Sequence, residues 1–307
     1  MKSSRVWRGI TRIAGIHIWI ASLIPMMVAT MLSYTSGQGF SFKWWALSII
    51  GVMLIETGKH CINDVVDFES GVDLSIEPDK VTPFSGGKKV LTENLLTVKE
   101  AKLIAKITLT LAAIIGIYIA IYREPAIWII GIIGVFLAVA YSLPPMAFCY
   151  RGLGEITVGI TYGPLIFLGM YMVMGGQVDS LVVLSSIPIG ILVTNILWIN
   201  QYPDYEADKM NGKRNWVVRI GKEKGLTVYK GLYILMYLFF IAMAVGTRNY
   251  YWLISLISIP MAYQSYKIAT VHFNNIPKLV KANQLTAQMY IVLGITMTIT
   301  FVLTYWA

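Results

Sequence analysis

Charged residues are scarce in this sequence: Asp, Glu, Lys and Arg make up only 13% of 307 residues, whereas 56% are hydrophobic. A soluble domain carries about 25% charged residues, so the composition excludes a soluble enzyme and predicts a polytopic membrane protein. Cys61 and Cys149 are too few for a disulfide framework, and the three histidines have no metal-ligand spacing. The net charge of +9 arises from basic residues at helix ends and does not indicate nucleic-acid binding.

Long hydrophobic runs predict about nine membrane spans, since a spanning helix needs about 20 mostly apolar residues. We expect one all-α bundle over residues 1–307, with a central cavity open to the cytoplasmic face. Two four-helix repeats are predicted over about 44–174 and 181–306. The spans lie near residues 10–32, 44–63, 101–122, 125–141, 153–174, 181–202, 227–245, 250–268 and 287–306.

The basic residues predict the orientation of this bundle. With nine spans, all Lys and Arg except Lys43, Arg123 and Arg248 lie at or beyond the helix ends on the N-terminal side. Cytoplasmic loops of membrane proteins carry the excess of Lys and Arg. We therefore predict a multi-pass protein of the cell membrane with its N-terminus in the cytoplasm.

Two acidic motifs end two of the apolar runs, although the chain has only 16 acidic residues. Both share the pattern Asn-x-x-x-Asp, and residues four apart lie on one face of a helix. Their carboxylate and amide oxygens are hard ligands that suit Mg²⁺. Both motifs fall on the predicted cytoplasmic side. The residues predicted to bind metal are Asn63, Asp64, Asp67, Asp73, Asn200, Asp204 and Asp208.

Two acidic clusters brought together repel each other unless divalent cations lie between them. Mg²⁺ is usually held by a few carboxylates together with substrate phosphates, so the pair predicts a metal–diphosphate site. Solvated acidic loops are the alternative for either motif alone. Nearby basic residues and one tyrosine are candidates for diphosphate binding, although cytoplasmic charge bias alone also places Lys and Arg there. They are Lys59, Lys88, Lys89, Arg151, Lys213, Arg214 and Tyr141.

The paired motifs resemble those of the UbiA superfamily of intramembrane prenyltransferases. The five residues between Asp67 and Asp73, and residues 150–155 and 212–221, are similar to its dihydroxynaphthoate (menaquinone-type) branch. The chain departs from that branch at Pro203, where an Arg is typical. This departure leaves the acceptor open.

The resemblance implies transfer of a prenyl group from an allylic polyprenyl diphosphate to an aromatic quinone precursor such as dihydroxynaphthoate. Asp67, Asp73, Asp204 and Asp208 are the implied catalytic residues, with Mg²⁺ as cofactor and no obligate protein partner. Ionisation of the diphosphate ester leaves an allylic cation, which needs a dry cavity with aromatic walls. The candidates for that wall are Tyr162, Trp198 and Tyr202.

Other functions stay open at this point. Prenyl transfer to a different lipid or aromatic acceptor would use the same motifs. A cation or metabolite transporter would also place acids in a membrane bundle, although usually near mid-helix rather than at helix ends. A transferase for a nucleotide-linked alcohol phosphate would be expected to carry one denser Asp motif on one helix.

Overall fold

The computed structural model describes residues 2–77, 80–84 and 87–306, and over these residues the chain is helical and contains no strand. This confirms the predicted all-α fold. The helices are α1 Lys2–Ile13, α2 Ile16–Ser33, α3 Phe42–Glu69, α4 Val98–Tyr122, α5 Ile127–Ala140, α6 Gly154–Ile160, α7 Ile166–Val173, α8 Ser180–Met210, α9 Trp216–Ile220, α10 Lys222–Gly246, α11 Ile259–His272 and α12 Ile276–Trp306.

Seven helical segments in the described part of the chain are long and apolar enough to cross a membrane, so the protein is a multi-pass membrane protein. The predicted count of nine spans is not confirmed. The fourth predicted span is the short helix α5, with 14 residues. The eighth is a 3₁₀ helix, Tyr250–Ser258, that continues into α11.

The first predicted span begins later than expected, because extended backbone at Gly15 separates α1 from α2. Helix α1 packs against the loop before α4 through its basic residues. The Arg5 guanidinium donates to the Glu100 carboxylate at 2.7 Å and to the Leu95 carbonyl at 2.8 Å, and Arg12 pairs with Glu93. The basic face of α1 is therefore bound to protein.

The Asn-x-x-x-Asp part of each acidic motif lies inside a long helix, which corrects two predicted boundaries. Helix α3 continues to Glu69, so the loop predicted to start at Asp64 starts after Asp67, and Asp73 lies in that loop. Helix α8 continues past Pro203 to Met210. A proline removes one backbone donor from a helix, but Tyr202 and Pro203 are both buried here, and this packing keeps the helix intact.

Glycines allow α8 to approach the helix pair α6–α7 at backbone distance. A Cβ atom on Gly190 would lie 2.5 Å from the Gly159 carbonyl oxygen, and one on Gly163 would lie 2.8 Å from the Gly190 Cα. A π-helical segment, Thr161–Leu165, joins α6 to α7 at this contact and contains Tyr162. The close contact fixes Tyr162 relative to the second acidic motif on α8.

We predict that Gly190→Ala destabilises the protein by about 1–3 kcal/mol, because overpacking forces backbone shifts. Gly231→Ala in α10 is the matched control, since no atom lies within 4 Å of its added Cβ and a helical Gly→Ala change is otherwise stabilising by about 0.5–1 kcal/mol. Thermal unfolding in one detergent compares the two variants. An unchanged melting temperature for Gly190→Ala would contradict the close contact.

Candidate active site

Both acidic motifs line one cavity of about 750 Å³ inside the bundle. Helix α3 contributes the first motif and helix α8 the second. Isoleucine, valine and methionine side chains such as Ile119, Val193 and Met170 surround the rest of the space. The cavity therefore combines an acidic end with an apolar body.

Asp67 contacts three charged or polar side chains. Its carboxylate accepts hydrogen bonds from the Lys213 ammonium at 2.8 Å, the Tyr150 hydroxyl at 2.7 Å and the Asn63 amide at 3.1 Å. The Asn63 bond confirms that residues four apart in the motif share one helical face. Asp67 is therefore held in place by the loop that follows α8 and by the segment before α6.

Lys213 connects the two motifs. Its ammonium lies 2.8 Å from the Asp67 carboxylate and 3.8 Å from that of Asp208. Burial alone lowers the pKa of Lys213, but the charges of Asp67 and Asp208 outweigh it and raise that pKa well above its usual value. Lys213 therefore carries a fixed positive charge between the two acids.

Asp208 is buried, and only one of its two carboxylate oxygens accepts a hydrogen bond. Its Oδ2 atom accepts from the Asn215 amide at 2.7 Å, whereas its buried Oδ1 atom has no hydrogen-bond partner among the described residues. An unpaired buried oxygen is unfavourable. A cation or water molecule in the cavity would satisfy it.

Asp64 and Asp73 converge on Gly87 in the loop after α3. A Cβ on Gly87 would lie 2.9 Å from Asp64 Oδ1 and 3.0 Å from Asp73 Oδ2, and its φ of +60° also favours glycine. The Lys88 backbone N–H donates to Asp64 Oδ1 at 3.0 Å. Burial raises the pKa of Asp73 to about 8, and the charges of Asp67, Asp64 and Asp204 add to this rise.

The second motif faces the same space from α8. Asp204 lines the cavity, and its charge is close enough to contribute to the raised pKa of Asp73. The Asn200 side-chain oxygen accepts from the Asn283 amide of α12 at 2.7 Å. All seven residues predicted as metal ligands line the cavity.

These oxygens fit Mg²⁺ that arrives with a phosphate ligand. Among the described residues no three acidic, His or Cys side chains form a ready-made metal cluster. The carboxylates come instead in pairs: Asp64 and Asp73 lie on either side of Gly87, and Asp67 and Asp208 lie on either side of Lys213. The Oδ1 atom of Asp208 has no hydrogen-bond partner among the described residues and could accept a cation. Mg²⁺ needs only one or two carboxylates when substrate phosphates complete its coordination.

The basic residues predicted to bind diphosphate divide into two groups. Lys59, Lys88 and Lys213 line the cavity, as does Tyr141. Burial lowers the pKa of Lys88, which marks a desolvated ammonium at the acidic end. Lys59 lies deeper, in contact with Glu56 and Tyr162.

Lys89, Arg151 and Arg214 are not among the residues that line the cavity, so their predicted contact with diphosphate stays a prediction. The Lys89 ammonium donates to the Thr82 carbonyl at 2.8 Å. Arg151 and Arg214 are exposed, and their carbonyl oxygens accept from the Arg219 guanidinium. The short loops that carry these residues direct their side chains outward.

Of the three predicted wall residues, only Tyr162 lines the cavity. The Trp198 indole donates to the Gly225 carbonyl at 2.9 Å, and the Tyr202 hydroxyl donates to the Lys222 carbonyl at 2.8 Å. Both side chains are buried between α8 and α10. They lie on the face of α8 that packs against protein, so their predicted role in the cavity wall stays a prediction.

Sequence reasoning missed Tyr150, Asn215 and Glu56. Tyr150 and Asn215 lie outside the Asn-x-x-x-Asp pattern, in loops brought to the motifs only by the fold. The sequence alone could have indicated Glu56, because an acidic residue in the middle of an apolar run is costly and usually functional.

The molecule is thus a multi-pass helical bundle with paired carboxylates at one end of an apolar cavity. The profile of the UbiA prenyltransferase family matches residues 22–283. The chain belongs to the UbiA family and is a prenyltransferase, as its motifs predicted.

Similar curated proteins include members of the menaquinone-type branch. A 1,4-dihydroxy-2-naphthoate octaprenyltransferase of Bacillus subtilis is 23% identical over 94% of this chain and 90% of the relative. A protein of the same name in Escherichia coli is 25% identical over 69% of this chain and 71% of the relative.

Solved structures share the fold. A UbiA homolog from Archaeoglobus fulgidus bound to GPP and Mg²⁺ has a TM-score of 0.64 at 17% identity, covering 94% of this chain and 99% of that one. A digeranylgeranylglyceryl phosphate synthase has a TM-score of 0.66 at 17% identity, covering 97% of this chain and 99% of the other.

We predict that Lys213→Met weakens the binding of geranyl diphosphate at least about tenfold, because one buried charge-assisted contact is worth about 1.5–3 kcal/mol. Calorimetric titration in detergent with Mg²⁺ measures this change. Lys102→Met is the control, since Lys102 forms an exposed ion pair with Glu69 and exposed pairs contribute little. Equal affinities for the two variants would exclude Lys213 from the diphosphate site.

Proposed function

We propose that the protein transfers a prenyl group from an allylic polyprenyl diphosphate to an aromatic quinone precursor of the dihydroxynaphthoate type, with Mg²⁺ as cofactor. The observation that carries this proposal is the single cavity in which both acidic motifs meet an apolar body. The diphosphate would bind at the acidic end, and the prenyl chain would lie among the apolar side chains. The acidic and apolar parts of the cavity thus match the diphosphate and prenyl parts of the proposed substrate.

The carboxylates of Asp67, Asp73, Asp204 and Asp208, with Asp64 and the two motif asparagines, would hold the metal. Mg²⁺ at these oxygens would neutralise the leaving diphosphate. Lys213 and Lys88 supply further positive charge at the same end of the cavity. The Tyr150 hydroxyl, which donates to Asp67, fixes the orientation of that carboxylate.

Breaking the C–O bond of the allylic ester leaves an allylic cation, and the apolar wall keeps water from it. The aromatic ring of the acceptor then attacks C1 of the cation, and the ring later loses a proton. Tyr162 lines the cavity, and an aromatic ring next to the cavity can stabilise a positive charge. These residues act by binding, orientation and exclusion of water.

Two similarities support the choice of substrates. Relatives that match most of the chain are named for a naphthoate acceptor, and the A. fulgidus homolog binds GPP with Mg²⁺ on the same fold. The basic loops place the acidic end of the cavity toward the cytoplasm in this proposal. The diphosphate group of the donor would then face the cytoplasm.

We predict that purified protein with geranyl diphosphate and 1,4-dihydroxy-2-naphthoate releases diphosphate and forms a prenylated product only when Mg²⁺ is present. Because the carboxylates alone repel the diphosphate, chelation of Mg²⁺ should abolish turnover. Product formation followed by mass spectrometry across several aromatic acceptors checks both substrates.

Asp67→Ala and Asp204→Ala test the carboxylates in the same assay and should abolish turnover while the folded protein stays in the membrane. Asp179→Ala is the control, because Asp179 caps the start of α8, at the end opposite the second motif. Full activity in Asp67→Ala or Asp204→Ala, or undiminished turnover after chelation, would contradict the proposed metal site.

A further inference from the structure

A charged cluster that the metal site does not use lies in the middle of helix α3. Glu56 lies 13 residues before the last residue of this helix, which places it about 20 Å from the end of the helix at 1.5 Å per residue. Glu56, Lys59 and His60 all line the cavity, and so does Tyr162 opposite them. We name Glu56, Lys59, His60 and Tyr162 the mid-membrane cluster.

The Glu56 carboxylate is fully occupied by donors. It accepts from the Lys59 ammonium at 2.9 Å, the Tyr162 hydroxyl at 2.9 Å and the Ser22 hydroxyl at 3.0 Å, and His60 Nε2 lies 3.4 Å away. A carboxylate with this many donors is a weak base. Glu56 therefore serves as a fixed counter-charge.

Lys59 is the member of the cluster that has an N–H donor left for a ligand. An ammonium has three donor hydrogens, and Lys59 directs two of them to Glu56 and to the Tyr162 hydroxyl, at 2.6 Å. Its side chain is 16% exposed, against 4% for Glu56, and that exposed part borders the cavity. The remaining N–H is available to an anionic oxygen of a bound molecule.

Ionised side chains at this depth of a membrane helix are costly and are retained mostly where they have a function. Packing alone does not require this cluster, because a buried ion pair is often replaceable by apolar residues without loss of stability. The cluster also borders the substrate cavity, in addition to its contacts with Ser22 of α2 and with Tyr162. A ligand-binding role accounts for all three observations.

The depth of Lys59 separates it from the diphosphate end. It lies four residues before Asn63, or about 6 Å along the axis, and Glu56 lies about 10 Å from Asn63. Lys213 already supplies a cation beside Asp67 and Asp208. The axial separation of about 6–10 Å between the cluster and Asn63 is close to the length of one bicyclic aromatic ring.

We propose that Lys59, held by Glu56 and Tyr162, binds an anionic oxygen of the aromatic acceptor, a carboxylate or a phenolate, and so positions its ring for attack on C1 of the donor. This inference rests on the proposed prenyl transfer to an aromatic acceptor. The sequence analysis assigned Lys59 to the diphosphate. The present proposal assigns it to the acceptor instead.

The test compares binding of two ligands to wild-type protein and to Lys59→Met in detergent, measured by calorimetric titration without turnover. We expect the dissociation constant for 1,4-dihydroxy-2-naphthoate to rise at least about tenfold, because a charge-assisted contact is lost. The constant for geranyl diphosphate with Mg²⁺ should stay within about twofold. Lys106→Met, an exposed lysine of α4 outside the cavity, should leave both unchanged.

A second variant distinguishes a loss of binding from a loss of folding. The double change E56Q with K59Q removes both charges together, which leaves no unpaired ion in the membrane. It should lose naphthoate binding to the same extent as Lys59→Met while melting near the wild-type temperature. Wild-type naphthoate affinity in this folded variant would overturn the proposal.

A second acceptor identifies the oxygen at Lys59. 1,4-Dihydroxynaphthalene lacks the carboxylate, so a loss confined to the naphthoate assigns the carboxylate, and a loss for both assigns a hydroxyl oxygen. If Lys59→Met instead weakens the binding of geranyl diphosphate and leaves naphthoate binding unchanged, Lys59 contacts the diphosphate and the inference is overturned. Failure of the wild type to bind geranyl diphosphate with Mg²⁺ would contradict the proposed function itself.

Discussion

The structure depends on how carboxylates are kept inside a membrane bundle. Asp64, Asp67 and Asp208 are all buried, and like charges that close together repel strongly in a medium of low polarity. Lys213 balances part of this charge by lying between Asp67 and Asp208, but Asp73 has a raised pKa and the Oδ1 atom of Asp208 has no hydrogen-bond partner among the described residues. This arrangement favours a divalent cation, which supports the proposed magnesium–diphosphate ligand.

One face of α3 organises the cavity from the mid-membrane cluster to the metal ligands. Glu56, Lys59, Asn63 and Asp67 follow one another at three- or four-residue spacing, so their side chains lie along one side of the helix. Their chemistry changes along that side, from a neutral ion pair in the middle of the membrane to carboxylates at the end. The same straight helix thus sets the distance between the place where an acceptor would bind and the place where diphosphate would leave.

The sequence was informative wherever a pattern is local. Hydropathy predicted the all-α membrane fold, and the Asn-x-x-x-Asp spacing predicted the Asn63–Asp67 contact, since both depend only on helix geometry. It was uninformative where the result depends on packing between helices: Trp198 and Tyr202 lie on the face of α8 that meets α10, and one-dimensional spacing does not show which face that is. The partners Tyr150 and Asn215 come from distant loops, so nothing in either acidic motif could have revealed them.

The central claim is that the acidic end of the cavity binds a divalent metal together with a diphosphate. The most direct test is a structure determined with Mn²⁺ in place of Mg²⁺ and with geranyl thiodiphosphate, a donor that ionises slowly. The account predicts anomalous density for Mn²⁺ between the carboxylates of α3 and α8, with the prenyl chain in the apolar part of the cavity. Metal density elsewhere, or thiodiphosphate bound outside the cavity without metal, would contradict it.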